Sequence, residues 1–145
     1  MWIDEHGSEV LERNECLRLL ALAADEGGVA RLGVATSSSP IIVPVNFTYH
    51  DAGVIIRITK GTIGDTTPGS LVAIEVDRVD EEAGEAWSVL LRGLARELSF
   101  EEVAPHRLEL PRPLAPIPGE LLIYVRGDEI TGRRFPLVAS RTDRN

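Results

Sequence analysis

The sequence predicts a mainly β protein, in which six antiparallel strands form a small barrel behind a single N-terminal helix. From Val29 onward, short runs rich in β-branched residues alternate with turn residues, which is typical of strands joined by hairpins. Helical periodicity occurs once, before these runs. Because a barrel leaves no exposed sheet edge and suits hairpin-connected strands, we favour a barrel over a layered α/β fold.

The helix is predicted over residues 10–24, where apolar residues recur at helical spacing after several glutamates, and it ends before Gly27. We expect a hairpin turn at 51–53 and an exposed acidic turn at 81–85. The proline-rich residues 111–118 do not suit a helix or a central strand and predict a rigid connector. The strands are predicted at 29–36, 40–50, 54–59, 70–79, 86–98 and 120–126.

Length and composition limit the number of domains and the classes of partner. With 145 residues and 43% hydrophobic content, we expect one domain over residues 1–145, with an N-terminal extension at about 1–9 and a tail at about 136–145. The net charge of −8 and the isoelectric point near 4.9 argue against a broad nucleic-acid surface, which needs clustered positive charge. An anionic cofactor would therefore need a local positive site.

The single cysteine, Cys16, excludes an internal disulfide and a cysteine metal cluster, which favours a reducing cytoplasm. The sequence starts without the basic and apolar stretches of a secretory signal, and no run is long enough to span a bilayer, so we expect a soluble protein. The three histidines, His6, His50 and His106, lack metal-ligand spacing and are expected at the surface rather than in catalysis.

The third predicted strand places a cation and a hydroxyl on one face. Because residues two apart share a face, Ile56 and Ile58 are expected to point into the core, and Arg57 and Thr59 to the other side. The loop Lys60-Gly61-Thr62 follows and contains the chain's only lysine. Charge-assisted hydrogen bonds and close backbone approach at the glycine would suit a phosphate. The alternative is that both cations are solvated and the glycine marks only a turn.

The second predicted strand places Pro44 and Asn46 on the same side, two residues apart, in a run that otherwise resembles a buried strand. Pro44 removes a donor from the strand ladder, and Asn46 carries a polar side chain that needs partners. We therefore expect this face to border a cofactor or a second subunit. The alternative is an edge strand with a hydrogen-bonded asparagine.

Five segments, together with a motif in the predicted helix at 14–17 and a late motif at 130–134, follow one another in an order and spacing typical of one protein family. They are Arg31-Leu32-Gly33-Val34, Pro44-Val45-Asn46-Phe47, Ile56-Arg57-Ile58-Thr59 with Gly61-Thr62, Ala73-Ile74-Glu75-Val76-Asp77 and Trp87-Ser88-Val89-Leu90-Leu91-Arg92-Gly93. In this succession the chain resembles the pyridoxamine 5′-phosphate oxidase-like, FMN-binding split-barrel family. The resemblance covers most of the chain and depends on the order and spacing of the motifs together.

The resemblance implies a homodimer that holds FMN between its subunits and acts as a flavin-dependent oxidoreductase. The implied contacts with the flavin ring come from Pro44, Val45 and Asn46. The implied contacts with the ribityl phosphate come from the stretch Arg57, Ile58, Thr59, Lys60, Gly61 and Thr62. Trp87 and Ser88 would approach from the fifth strand, although Trp87 also suits an ordinary core or interface aromatic. The substrate stays unassigned, because pyridoxamine phosphate would need more basic residues than the late pair Arg133-Arg134.

One position departs from the family pattern. Many relatives carry a lysine directly after the Gly-Ser/Thr pair, whereas this chain has Ile63, with Asp65 close behind. A phosphate site without that lysine loses a contact worth about 1 kcal/mol or more. Two alternatives therefore remain: a deazaflavin-dependent reductase or binding protein on the same barrel, and a non-enzymatic, vestigial dimeric barrel.

Overall fold

Six strands close into an antiparallel barrel in a computed structural model, which describes residues 1–103, 110–111 and 119–138. In these residues the helices are α1 (Arg13–Asp25), α2 (Thr62–Thr66) and α3 (Phe100–Val103). The strands are β1 (Trp2–Ile3), β2 (Glu9–Val10), β3 (Val29–Ala35), β4 (Pro40–His50), β5 (Gly53–Thr59), β6 (Leu71–Asp80), β7 (Glu85–Leu98), β8 (Glu120–Arg126) and β9 (Glu129–Pro136).

The barrel runs in the order β4, β5, β8, β7, β6 and β3, and the pairing of β3 with β4 closes it. These are the six predicted strands, so the predicted six-stranded split barrel with an N-terminal helix is confirmed. The predicted turn at 51–53 is tight, with Asp51 and Ala52 at positive φ angles of 42° and 55°. The predicted acidic turn between β6 and β7 is also present and exposed.

Two long strands belong to both halves of the barrel. Residues 40–46 of β4 pair with β3, whereas residues 47–50 pair with β5. Residues 85–94 of β7 pair with β6, whereas residues 95–98 pair with β8. Gly93 lies close to the point where β7 changes its partner from β6 to β8, and a Cβ atom there would stand 2.0 Å from the carbonyl oxygen of Arg126. The close approach of the two backbones therefore requires glycine at this position.

The main core lies inside the barrel and under α1. The helix buries one apolar stripe, formed by Cys16, Leu19, Leu20 and Ala23, against the strands. A smaller second cluster forms outside the barrel, where Ile55 of β5 packs with Leu98 and Val103. The fully buried side chains of the main core include Leu32, Val54, Ile56, Ile74, Val76, Val89, Leu91, Ile123 and Val125.

The helix start differs from the prediction, because α1 begins at Arg13 rather than at residue 10. Residues 9–10 instead form β2, which pairs with β9, and the Leu11 amide donates to the Gly132 carbonyl. Residues Trp2, Ile3 and Glu9 of the predicted N-terminal extension thus join the sheet through β1 and β2. The predicted connector at 112–118, residue His106 and the predicted tail from 139 onward lie outside the described residues. No helix among the described residues has the length and apolar character needed to cross a bilayer.

Candidate functional site

The outer face of β4 presents the two residues selected from the sequence. Pro44 and Asn46 are exposed on the same side of the strand, as strand parity predicted. Val45 between them is buried in the main core. Any contact that Val45 makes with a ligand on the outer face would therefore come from its main chain, and not from its side chain.

The split in the barrel begins beside Asn46. The ladder between β4 and β5 runs from the His50–Gly53 pair to the Phe47–Ile56 pair and stops there. From Asn46 backwards, β4 pairs with β3 instead, so its first half leaves β5. The two strands therefore separate beyond the Phe47–Ile56 pair, so that Pro44 and Asn46 of β4 no longer pair with the last residues of β5.

Arg57 is not on an open surface. Ile56 and Ile58 face the main core as predicted, but the opposite face of β5 is covered, and the Arg57 side chain is 5% exposed. Its Nη1 donates to Glu120 Oε2 at 3.1 Å, and its Nη2 donates to the Pro111 carbonyl at 3.1 Å. The solvated alternative for this arginine is therefore wrong. A phosphate would reach the guanidinium only in competition with these two acceptors.

The end of β5 is open and polar. Thr59, Lys60, Gly61 and Thr62 are all exposed, and Gly61 has a φ angle of 144° that other residues rarely adopt. The Lys60 amide donates to the Gly119 carbonyl at 2.7 Å, which fixes the backbone and leaves the ammonium group in solvent. This loop supplies an exposed cation and a hydroxyl at the end of β5.

Ile63, the residue that departs from the family pattern, packs towards the core. Its side chain is partly buried and packs against the main core, rather than facing the exposed loop. The next residue, Gly64, lies so close to β5 that a Cβ atom would stand 2.4 Å from the Thr59 carbonyl oxygen. A lysine at position 63 would need a different side-chain direction to reach a ligand at Thr62.

Trp87 and Ser88 point to opposite faces of β7. Trp87 belongs to the main core, as the alternative interpretation for this residue had it. Ser88 is half-buried on the outer face, where it lies between Asp77 of β6 and Arg133 of β9. The two residues therefore cannot contact one ligand with both side chains from the same face of the strand.

The outer face of the sheet formed by β4, β3, β6, β7 and β9 carries many exposed apolar side chains. Ile42 is 72% exposed and Leu71 is 78% exposed. Between them lies a groove of about 400 Å³, lined by small residues that include Gly33 and Ala73. The other exposed apolar side chains on these strands are Val29, Val79, Leu90, Leu94 and Phe135. This surface, the outer sheet face, is continuous with Pro44 and Asn46.

A charged cluster lies in the middle of the outer sheet face. The Nη1 atom of Arg31 lies 3.0 Å from Glu75 Oε1 and 2.8 Å from Asp77 Oδ2. Partial burial, followed by hydrogen bonding to Asp77 and the charge of Asp77, raises the pKa of Glu75 to about 6, although Arg31 opposes the shift. These residues were not among the predicted site residues. The sequence feature that could have indicated them is the pair of carboxylates, Glu75 and Asp77, at alternate positions in a mainly apolar strand.

The described residues contain no group of three or more histidine, cysteine, aspartate or glutamate side chains that could hold a metal ion. Exposed polar side chains beyond the last pair of the β4–β5 ladder include Asn46 on β4 and Thr59, Lys60 and Thr62 at and after the end of β5. They provide hydrogen-bond donors and acceptors and one positive charge, which suits an organic anion better than a cation.

Comparison with known proteins gives consistent matches over most of the chain. A family model described as pyridoxamine 5′-phosphate oxidase matches residues 12–134. An uncharacterized protein of Mycobacterium tuberculosis is 30% identical over 138 residues, covering 91% of this chain and 88% of that protein. The solved FAD binding protein from Mycobacterium smegmatis is 29% identical with a TM-score of 0.69, covering 88% of this chain and 98% of that one. A conserved protein of unknown function from Corynebacterium diphtheriae is 28% identical with a TM-score of 0.69, with the same coverage of 88% and 98%.

Proposed function

Because the chain belongs to the pyridoxamine 5′-phosphate oxidase family, we propose that it is a homodimeric flavoprotein that binds FMN and oxidises or reduces a small molecule. The observation that carries this proposal is the separation of β4 from β5 beyond the Phe47–Ile56 pair, with Asn46 exposed on β4 and Thr59 exposed at the end of β5. The description of the M. smegmatis relative as an FAD binding protein supports a flavin as the ligand.

The residues around the split fit a flavin phosphate ester. Pro44 and Asn46 offer a flat apolar ring and an amide to the isoalloxazine, whose bound form supplies the hydride and electron transfer. Lys60 and Thr62 offer an ammonium group and a hydroxyl to the phosphate, and Gly61 permits close approach of the main chain. The protein has a net charge of −8, so the local positive charge of Lys60 is needed to attract an anionic ligand to this part of the surface.

The outer sheet face supports the dimer. Exposed apolar residues of this size cluster on one face, and such patches mark interaction sites in soluble proteins. The occupant that we propose is a second copy of the chain, because the same face carries both a groove and the flanking Ile42 and Leu71 side chains that could fill the copy's groove across a two-fold axis. The site in the split would then be closed by the partner subunit. The cytoplasm remains the proposed location, on the ground of the lone buried Cys16.

The first test is the absorbance spectrum and mass of any chromophore that co-purifies with the protein. An FMN spectrum and mass are expected. If the chromophore is FAD, the protein is still a flavoprotein but its cofactor is not FMN. A deazaflavin spectrum would instead favour the deazaflavin-dependent alternative. If the apoprotein fails to bind any flavin at micromolar concentration, the proposal is wrong and the vestigial barrel is favoured.

A second test measures the contribution of the phosphate loop. Lys60→Ala is expected to weaken FMN binding about tenfold, because a charge-assisted contact of about 1.5 kcal/mol is lost. Riboflavin has no phosphate, so its affinity is expected to stay the same. Arg13→Ala, which removes an exposed positive charge from the start of α1, is the matched control for net charge. Equal losses for FMN and riboflavin would place the phosphate elsewhere.

A further inference from the structure

The charged cluster of Arg31, Glu75 and Asp77 occupies an unusual position on the outer sheet face. In the strand register, Arg31 of β3 lies between Pro44 of β4 and Glu75 of β6, and Glu75 lies next to Leu90 of β7. Pro44 and Leu90 therefore flank the row of Arg31 and Glu75, whereas Asp77 lies next to Ser88. The cores of protein interfaces are depleted of charged residues, so a charged cluster here needs a specific explanation.

The cluster contains one positive and two negative charges. Arg31 contacts both carboxylates through the same nitrogen, which leaves a net charge of about −1 when both are ionised. When one proton is bound to the carboxylate pair, the cluster becomes neutral. Its net charge therefore depends on a single proton.

We propose that the pairing of two copies through the outer sheet face takes up one proton per subunit at the cluster of Arg31, Glu75 and Asp77. This inference depends on the dimer proposed above and adds its regulation by pH. Covering the cluster with a second copy removes water from a net negative charge, which is costly, whereas covering the neutral, protonated cluster costs much less. The protonated subunit is therefore the form that pairs.

The neighbouring strands bring few other charges near Glu75. From β3 the charged neighbour is Arg31, and from β7 the neighbours are Leu90 and Ser88. Arg92, in the next row of β7, is bonded to Glu129 of β9. Arg133 of β9 lies in the row of Asp77, beyond Ser88, and its Nε is 3.3 Å from Asp4. On β6 itself, Arg78 points to the opposite face, towards Glu26. Among the described residues, the carboxylate pair and Arg31 therefore determine the local charge.

The direction of the pH dependence follows from the pKa of Glu75. In the separate subunit this pKa is about 6, and further burial at the interface raises it. Below pH 6 both forms hold the proton, so the dissociation constant of the dimer is constant there. Above pH 6 the separate subunits lose the proton while the dimer retains it, so the dissociation constant rises with pH. Because one dimer holds two such protons, the rise can reach about 100-fold per pH unit.

The test measures the dimer dissociation constant of the full chain between pH 5.5 and 8, by fluorescence-detected sedimentation at nanomolar concentrations. Where the dimer is too tight to dissociate, the urea concentration that dissociates it replaces the constant. The variant is Glu75→Gln, which keeps the size of the side chain and cannot ionise. The matched control is Glu97→Gln, which changes the net charge equally in the exposed part of β7 that pairs with β8.

We expect the wild-type and Glu97→Gln dissociation constants to rise about tenfold or more between pH 6 and pH 7.5, and the Glu75→Gln constant to stay flat and low. A wild-type dimer whose affinity does not change with pH would overturn the proton coupling and leave the dimer intact. Equal pH dependence in Glu75→Gln and wild type would assign the effect to other groups, and the inference would be wrong. A monomer at every pH would contradict the proposed dimer itself, and the inference with it.

Discussion

Arg57 and Glu120 form an ion pair across β5 and β8, with 3.1 Å between Nη1 and Oε2, in which the arginine side chain is 5% exposed and the glutamate 23% exposed. The same guanidinium donates to the carbonyl of Pro111, at the start of the segment that precedes β8. Arg57 therefore ties the residues that cover the outside of β5 to the barrel. Its first role is structural, whatever it contributes to a ligand.

Replacing Arg57 by methionine is expected to lower the free energy of unfolding by about 2–3 kcal/mol, because it leaves a partly buried carboxylate and a carbonyl without their donor. Urea denaturation followed by tryptophan fluorescence measures the loss. Arg92→Met breaks the exposed pair with Glu129 and is the control, with an expected loss below about 1 kcal/mol. If Arg57→Met is no more destabilising than Arg92→Met, the burial of the pair has no energetic consequence.

A pH-dependent contribution to stability is expected from Glu15 of α1. Hydrogen bonds from Arg18, at 2.6 Å, and from Arg134 of β9, at 2.9 Å, lower the pKa of Glu15 from its ordinary value of 4.5 to about 2. Because the folded pKa lies below the unfolded value, this stability is complete above pH 4.5 and is lost as the pH falls towards 2.

Glu15→Gln is therefore expected to cost about 1–2 kcal/mol at pH 7, after allowance for solvent screening at a side chain that is 30% exposed. The difference between variant and wild type should shrink below pH 4.5 and vanish near pH 2. Thermal unfolding at a series of pH values measures it, with Glu82→Gln in the exposed β6–β7 turn as the control. A constant difference at all pH values would show that Glu15 acts through packing and not through its charge.

The alternation of residues in β5 predicted correctly which side chains face the core, but it could not predict what covers the other face. Ile55 and Arg57 are buried there by Leu98, Val103 and Pro111, which are distant in the sequence and carry no periodic signal that points to β5. The sequence therefore predicted an accessible Arg57 beside Thr59. The structure buries this side chain, so its replacement is expected to lower the stability of the fold.

The six barrel strands could be predicted because each is long enough to show alternation between turn residues. The strands β1 and β2 contain two residues each, which is too short for any period, and their pairing with β9 depends on contacts 125 residues apart, such as Glu9 with Arg134. The cluster around Arg31 was missed for the same physical reason. Its members come from two strands that are neighbours only in the folded sheet.

Two glycine replacements are expected to affect stability very differently. Gly93→Ala places a methyl group 2.0 Å from the Arg126 carbonyl oxygen, so the crossing of β7 must open, at an expected cost of about 3 kcal/mol or more. Gly33→Ala meets Ala73 at 3.6 Å, an ordinary contact, so the subunit should keep its stability or gain slightly. Denaturation curves of both variants measure the contrast. A strongly destabilised Gly33→Ala would show that the groove has less room than its lining suggests.

The last prediction links the dimer to flavin binding through Ile42, which is exposed on the outer sheet face two residues before Pro44. Ile42→Asp puts a charge in the proposed interface and leaves the core unchanged, because the side chain is 72% exposed in the single subunit. Burying this unpaired carboxylate against a second copy costs several kcal/mol, so light scattering at micromolar concentration is expected to give the mass of a monomer.

If the partner subunit closes the flavin site, Ile42→Asp should also weaken FMN and riboflavin alike, by about tenfold or more, since the lost contacts belong to the ring and not to the phosphate. Val138→Asp makes the same substitution at a side chain that is 84% exposed beyond the end of β9, and it should change neither the mass nor the affinity. Retained flavin affinity in a monomeric Ile42→Asp variant would show that one subunit holds the flavin alone. If the Ile42→Asp variant stays dimeric, Ile42 does not lie in the interface, and the two copies pair through another face of the barrel.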